Sequence, residues 1–354
     1  MDDKYKQLFE SLIDTLIQQD GSDLHLAAGR TPALRVNGEL IFLLNHPELT
    51  SEDMQGILKA ILSPAHYERY VADNELDFSY NYQGSIRLRG NAFVQQGKQG
   101  IALRLIPHVR SLEELHLPSI LGDFARKRQG FFLVVGPVGQ GKSSTMASMV
   151  SLINQERPAH VLTIEDPIEY VYESGKSIID QREVGIDTKG FEHALKSAFR
   201  EDVNVILIGE MRTPETISTA VTAAETGHLV LSTLHTNNAS QTIDRIIDSF
   251  PAAQQEQIRV QLASSLLGIF SQRLVPRIAG GRVPVYELLI NNNAVANLIR
   301  EGRTHEIDMV IETGFEQGMV DMNRSLVELV RQGEITPETA FSYSLNPKNL
   351  ERLM

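Results

Sequence analysis

The feature that most constrains this chain is an apolar run that stops at a glycine-rich turn and restarts as a helix: "FFLVVGPVGQGKSSTMASMVSLINQ", residues 131–155. An unbroken apolar strand has to be buried on both faces, and that requires helices above and below its sheet. The alternation continues downstream. "HVLTIED", "VNVILIGE" and "HLVLSTLH" read as further buried strands, with the helical pattern "PETISTAVTAAETG" before the last of them. Strands alternating with helices in this way predict an α/β domain on a parallel sheet.

The turn has its own chemistry. Gly136, Gly141, Lys142 and Ser143 fit G-x-x-x-x-G-K-[ST] after a strand and before a helix. Glycines let the backbone of Gly136, Pro137, Val138, Gly139, Gln140 and Gly141 curl so that N–H groups face a phosphate. The helix beginning near Lys142, with Ser143 and Ser144 in its first turn, adds the positive end of its dipole. Lys142 would place its charge on the β- and γ-phosphates, and Ser143 would offer a hydroxyl to Mg²⁺. ATP and Mg²⁺ are therefore the expected ligands.

In a parallel sheet, ligands bind at the carboxyl ends of the strands. Glu165 and Asp166 end the second strand, Glu210 follows the third and His235 the fourth. Beside a phosphate loop, this set supplies what ATP hydrolysis needs. One carboxylate orients or deprotonates water, another holds the Mg²⁺ shell, and a polar side chain senses the γ-phosphate. We assign Glu165 as general base, Glu210 and Ser143 to the metal, and Asp166 to the nucleotide group. The two glutamate roles are interchangeable at this level. Helix capping is the plain alternative for Glu210, and for Glu165 and Asp166 before Pro167. His228 begins its strand, at the end away from the phosphate, so a structural role weighs evenly against its place in the nucleotide group.

Length and charge bound the rest. At roughly 150 residues per domain, a chain of 354 residues predicts two domains. A net charge of −12 counts against a protein that coats nucleic acid, which needs a basic surface. No cysteine is present, which excludes disulfides and thiolate metal sites and fits the cytosol. No run approaches the ~18 apolar residues of a membrane-spanning helix, so membrane association is expected only through a partner.

Residues 1–108 read as mixed α and β. Leu8, Leu12, Ile13, Leu16 and Ile17 recur at helical spacing, and Asn37-Gly38 predicts a hairpin between apolar runs. A helix is expected over 51–72 with Thr50 or Ser51 as N-cap. In "ELDFSYNY", Leu76, Phe78, Tyr80 and Tyr82 alternate as in a half-buried strand. "SIRLRGNAFV" and "GIALRLIP" add further strands, and this antiparallel part ends near Pro107. Residues 109–119 are expected to link it to the α/β domain, 120–354. Beyond about residue 240 that domain reads as mostly helical, with one helix over 252–274 carrying Ile258, Leu262 and Leu266, and others near 293–301, 321–333 and 336–343.

These motifs together resemble the secretion-type ATPases of type IV pili and type II secretion. The family's marks are the phosphate loop, an acidic box like "TIEDPIEY", a Gly-Glu box like "LIGEMR" and a histidine box like "TGHLVLSTLHTNNA", all present in order. "GSDLHLAAGRTPALRVNGEL", "QRLVP", "AVANLIREGRTHEI" and "MVDMNRSLVELVRQGEIT" are similar to the pilus retraction branch. The resemblance implies a PAS-like N-terminal domain and a RecA-like ATPase domain with a helical C-terminal region. It implies a homohexameric ring at the cytoplasmic face of the inner membrane, acting on a pilus platform protein, with a second retraction ATPase as a further expected partner. It also implies that arginines of the N-terminal domain complete the ATP site. Arg87 and Arg89 share one strand face and Arg104 lies on the next strand. Guanidinium groups in that role are worth roughly 10³ to 10⁵ in rate.

The chain departs from the family pattern at named places. Val138 and Gln140 stand where Thr and Ser are usual, which predicts a bulkier polar side chain near the phosphates. Thr213 replaces an Asp, Ala296 stands where an Arg is usual, and Glu210 replaces the Asp of ordinary P-loop enzymes. The expected function is a retraction motor. The competing readings are an assembly or secretion motor of the same family, an accessory subunit that hydrolyses little, and a RecA-like DNA motor. The missing four-cysteine motif counts against the first and the acidic charge against the last.

Overall fold

The computed structural model describes residues 2–36, 38–83, 86–106 and 108–354. The chain divides into two compact units, Met1–His108 and Val109–Met354.

The first unit opens with α1 (Asp2–Gln18), which buries Phe9, Leu12, Ile13 and Leu16 completely. These lie at i, i+3, i+4 and i+7, one face of a helix. The strands β1 (Gly21–Ala27), β2 (Ala33–Val36) and β3 (Glu39–Phe42) follow. The expected turn includes Asn37, which lies outside the described residues. The strands on either side of it pair antiparallel, with Val36 opposite Glu39. Where one helix was expected over 51–72 there are two, α2 (Ser51–Ile61) and α3 (Pro64–Asp73). Pro64 lacks an N–H and drives Ser63 out of the helical region, so the helix must restart. Ser63 caps the restart by accepting from His66 N at 3.2 Å. Thr50 caps α2 in a capping box with Asp53.

The strands β4 (Glu75–Tyr82), β5 (Ile86–Gln95) and β6 (Lys98–Leu105) complete the unit. Among the described residues the sheet is antiparallel, in the order β3-β2-β1-β6-β5-β4. One face carries Leu24, Leu34, Leu76, Phe78, Leu88 and Leu103 against α1 and α2. Tyr82 donates to Asp14 Oδ1 at 2.7 Å and Tyr80 to Glu10 Oε1 at 3.1 Å, tying sheet to helix. Burial and that carboxylate push the Tyr80 hydroxyl up to about 12.

The second unit begins with residues expected to be a linker, but Leu112, Leu115 and Leu117 pack into its core. Then come α4 (Ile120–Ala125), β7 (Gly130–Val135), α5 (Lys142–Glu156), β8 (His160–Glu165), β9 (Ile178–Glu183), α6 (Phe191–Ala198), β10 (Val205–Ile208), α7 (Pro214–Glu225), β11 (Leu229–Leu234), α8 (Ala239–Asp248) and α9 (Ala252–Ser265). The sheet runs β13-β12-β7-β11-β10-β8-β9. Here β12 is Leu266–Pro276 and β13 is Arg282–Ile290. All neighbours pair parallel except β13, which is antiparallel to β12.

Strand β7 shows why both faces need helices. Phe131, Leu133 and Val135 enter one core with residues of α6 to α9, and Phe132 and Val134 enter the other with residues of α4 and α5. The expected helix over 252–274 ends at Ser265, and Leu266 begins β12. A short continuous apolar run does not distinguish a buried strand from a buried helix by periodicity. Packing decides it, since a side chain at Gly268 would meet Leu289 O at 2.6 Å. The C-terminal region holds α10 (Asn293–Glu301), α11 (Ile307–Thr313), α12 (Met322–Arg331), α13 (Pro337–Tyr343) and α14 (Pro347–Leu353). Ala296 lies on the buried face of α10 with Val295 and Ile299.

Candidate functional site

Strands β7, β8, β10 and β11 run parallel, so their carboxyl ends reach one edge of the sheet. The loop after β7 turns through Gly136, Gly139 and Gly141, all at positive φ. Gly141, in the left-handed region, precedes the first residue of α5. Lys142 is only 7% exposed. Its Nζ donates to Gly136 O at 2.8 Å and Pro137 O at 2.9 Å, and lies 3.2 Å from His235 Nδ1. An ammonium only donates, so Nδ1 carries the ring's lone pair and the ring proton sits on Nε2. That nitrogen faces Glu210 Oε2 at 3.8 Å. Burial lowers the lysine pKa, against the pull of Glu169 and Glu210. Burial and the nearby Lys142 lower that of His235, which keeps the ring neutral.

Glu165, at the end of β8, is 9% exposed. Thr163 Oγ1 and Gln181 Nε2 donate to its Oε1 at 2.6 and 3.3 Å, and Glu169 N to Oε2 at 3.4 Å. Burial raises its pKa, and those bonds oppose the rise. Glu210 follows β10 and pairs with Arg212. Its approach is fixed from β11, where Ser232 Oγ donates to Ile208 O at 2.9 Å and Thr233 Oγ1 to Gly209 O at 2.6 Å.

These groups close round a cavity of about 220 Å³ whose wall includes Lys142, Ser143, Glu165, Asp166, Glu210 and His235. A larger hollow of about 570 Å³ lies between Tyr286, Phe315 and α12, but it gathers no comparable set of acid, base and phosphate-binding groups. Chemistry therefore picks the smaller one. Asp166 is exposed at its wall, and Val138 stands out into solvent from the loop. Ser144 Oγ is 2.6 Å from Tyr170 OH, so it braces the acidic box. Among the described residues no three His, Asp or Glu side chains cluster as a metal cage. One hydroxyl and one carboxylate with phosphate oxygens and water is the usual way Mg²⁺ is held, and Ser143 and Glu210 offer that hard-oxygen set.

His228 does not join the site. It precedes β11 at the end remote from the loop, its Nδ1 3.0 Å from Ala223 O and its ring edge-on to Phe199. A parallel strand carries its two ends to opposite edges, and only His235 is at the phosphate edge. Gln140 also differs from expectation. Its side chain turns away from the phosphate side and accepts from Leu274 N at 2.7 Å. Thr213 caps α7, accepting from Thr216 N at 3.3 Å. Tyr170 was visible in the acidic box but given no role. Gln181 and Gln272 lie on β9 and β12, strands that apolar runs did not reveal.

Arg87, Arg89 and Arg104 sit in the first unit, on the sheet face opposite its core. Arg104 is opposite both Asp23 and Arg89 in register. Arg104 Nε donates to Asp23 Oδ1 at 2.8 Å, and Arg87 Nη2 to Ser79 Oγ at 3.2 Å.

Residues 4–341 match the Type II/IV secretion system protein family. The chain is 47% identical over 322 residues to a twitching motility protein of Neisseria gonorrhoeae, covering 90% of this chain and 86% of that one. It is 43% identical over 333 residues to the type IV pilus retraction ATPase PilT of Pseudomonas aeruginosa, covering 94% and 96%. Its fold superposes on a crystal structure of the pilus retraction motor PilT with bound ADP at a TM-score of 0.91 and 47% identity, covering 97% and 98%.

Proposed function

This chain belongs to the Type II/IV secretion system protein family, and we propose that it is an ATP-driven motor of type IV pilus retraction. One observation carries the reading: a phosphate loop, two carboxylates and a neutral histidine meet at one sheet edge, in a chain alike to retraction motors over nearly its whole length.

Lys142 is held by Gly136 O and Pro137 O. Phosphate oxygens replace those carbonyls and receive a poorly hydrated cation, which strengthens the interaction. Glu165, made more basic by burial, takes the proton of the attacking water; Thr163 and Gln181 fix its carboxylate. Ser143 and Glu210 would hold Mg²⁺, which would supply positive charge against the phosphate oxygens. His235 lies beside both Lys142 and Glu210, where it registers the presence of the γ-phosphate. Arg87, Arg89 and Arg104 enter this proposal as cations on the transferring phosphate.

The motor is proposed to act as a homohexamer on an inner-membrane platform protein at the cytoplasmic face. No helix of the described residues is long and apolar enough to cross a membrane. Nucleotide states drive it by differential affinity for two conformations. The accessory-subunit reading rested on Gln140 and Thr213, and both side chains bond to backbone outside the catalytic cluster.

The test is complementation of a strain lacking its retraction motor. Restored twitching, lost in Glu210→Ala together with the ATPase activity of the purified protein, supports the reading. Hyperpiliated, immobile cells containing well-expressed protein overturn it.

A further inference from the structure

Strand β12 pairs with β7 only as far as Ser271 opposite Val135. There β7 leaves the ladder at Gly136, where a side chain would meet Gln272 O at 2.3 Å. Leu274 N therefore lies beyond the end of the neighbouring strand. Gln140 Oε1 takes that hydrogen bond at 2.7 Å, so a loop side chain extends the ladder. The reverse bond is also made. Gln272 Nε2 donates to Gln140 O at 2.9 Å, and Gln272 Oε1 accepts from Thr145 Oγ1 in the first turn of α5 at 2.6 Å. Gln272 is buried. Serine, usual at position 140 in the resembling family, is too short to reach Leu274 N.

Neighbours on the same strand hold the segment after His235. Arg273 Nη2 donates to Asn237 Oδ1 at 3.3 Å. Ser271 Oγ donates to Glu287 Oε1, which also accepts from Ala239 N at 2.8 Å. Strand β12 thus braces both nucleotide-side loops.

We propose that Gln140 and Gln272 are positioning residues that pin the phosphate loop to β12 and set how tightly the site holds its nucleotide. The inference rests on the loop's being the nucleotide site. A loop fixed before binding spends less of the binding energy on ordering. Losing one such bond changes affinity by about three- to tenfold. Because the clamp acts on the loop and not on the reacting atoms, it shifts KM and leaves kcat.

Four full-length variants test this: Gln140→Ser, which restores the residue usual in the family and guards against misfolding; Gln140→Met, similar in size but without the acceptor; Gln140→Glu, which keeps an acceptor; and Gln272→Met. Fluorescent ADP titration and steady-state ATPase are measured for wild type and the three uncharged variants, and Gln140→Glu is used for hydrogen exchange alone. Gln140→Ser, Gln140→Met and Gln272→Met raise Kd for ADP and KM for ATP about three- to tenfold with kcat within twofold. Hydrogen exchange at Leu274 in the nucleotide-free protein speeds up in Gln140→Ser and Gln140→Met but not in Gln140→Glu. Wild-type affinity in Gln140→Met overturns the proposal. Unchanged Leu274 exchange overturns the hydrogen bond beneath it. If wild-type protein binds no nucleotide, the functional reading fails instead, and the exchange result still judges the bond.

Discussion

Glu287 is a carboxylate that the fold holds at a cost, and replacing it by glutamine should relieve that cost in a pH-dependent way. It lies on β13, 7% exposed. Burial raises its pKa to about 7, the bond from Ala239 N opposes the rise, and Asp308 adds to it. The ordinary value is 4.5, so the folded state binds a proton more tightly than the unfolded state. Stability from this group is full below pH 4.5 and is lost as pH rises to about 7. At about 1.4 kcal/mol per pKa unit, the full loss is about 3.5 kcal/mol. In Glu287→Gln the amide oxygen still accepts from Ala239 N and Ser271 Oγ, and nothing ionises. Urea unfolding of both proteins at pH 5 and pH 8 isolates the term, because all other groups titrate in both. The stability of the variant relative to wild type should rise by about 2 kcal/mol between those pH values. A difference that does not change with pH would refute the reasoning.

Four other perturbations follow from the site and the core. Gly136→Ala places a methyl against the backbone oxygen of Gln272 at a φ of +146, so nucleotide affinity measured by titration should fall more than about tenfold. Glu165→Gln should lower kcat by about 10² to 10⁴ while leaving KM for ATP nearly unchanged, and the acid limb of the kcat/KM profile should vanish with it. Glu210→Gln should instead raise the Mg²⁺ concentration needed for half-maximal rate, and the reverse pattern would exchange the two roles. Leu12→Ala removes a fully buried side chain from α1 and should cost about 2–5 kcal/mol in chemical denaturation.

How much of the site was legible follows from the reach of each signal. The phosphate loop is local: strand, glycine turn and helix start lie within one continuous stretch. Glu165, Glu210 and His235 were legible because each ends an apolar run, and a parallel sheet collects such ends at one edge. Gln181 and Gln272 were not. Gln272 follows an apolar run that reads as the end of a helix, and Gln181 lies in "IIDQRE", on an edge strand with a mixed burial pattern. Pro64 was a local signal, and its break in the 51–72 helix follows from covalent geometry alone.

By itself the sequence determined that an α/β sheet carries a phosphate loop with acidic groups and a histidine beside it, because those features depend on side-chain order along single strands. Only tertiary structure decided what each departure means. Gln140 looked like an intrusion on the phosphates, and it became a bond to β12 because a strand 134 positions away ends its pairing at that point. His228 and His235 lie in one box, yet the direction of β11 sends one to the nucleotide edge and the other away from it. Pairing partners, strand direction and burial are set by contacts between distant segments, and no periodicity along the chain encodes them.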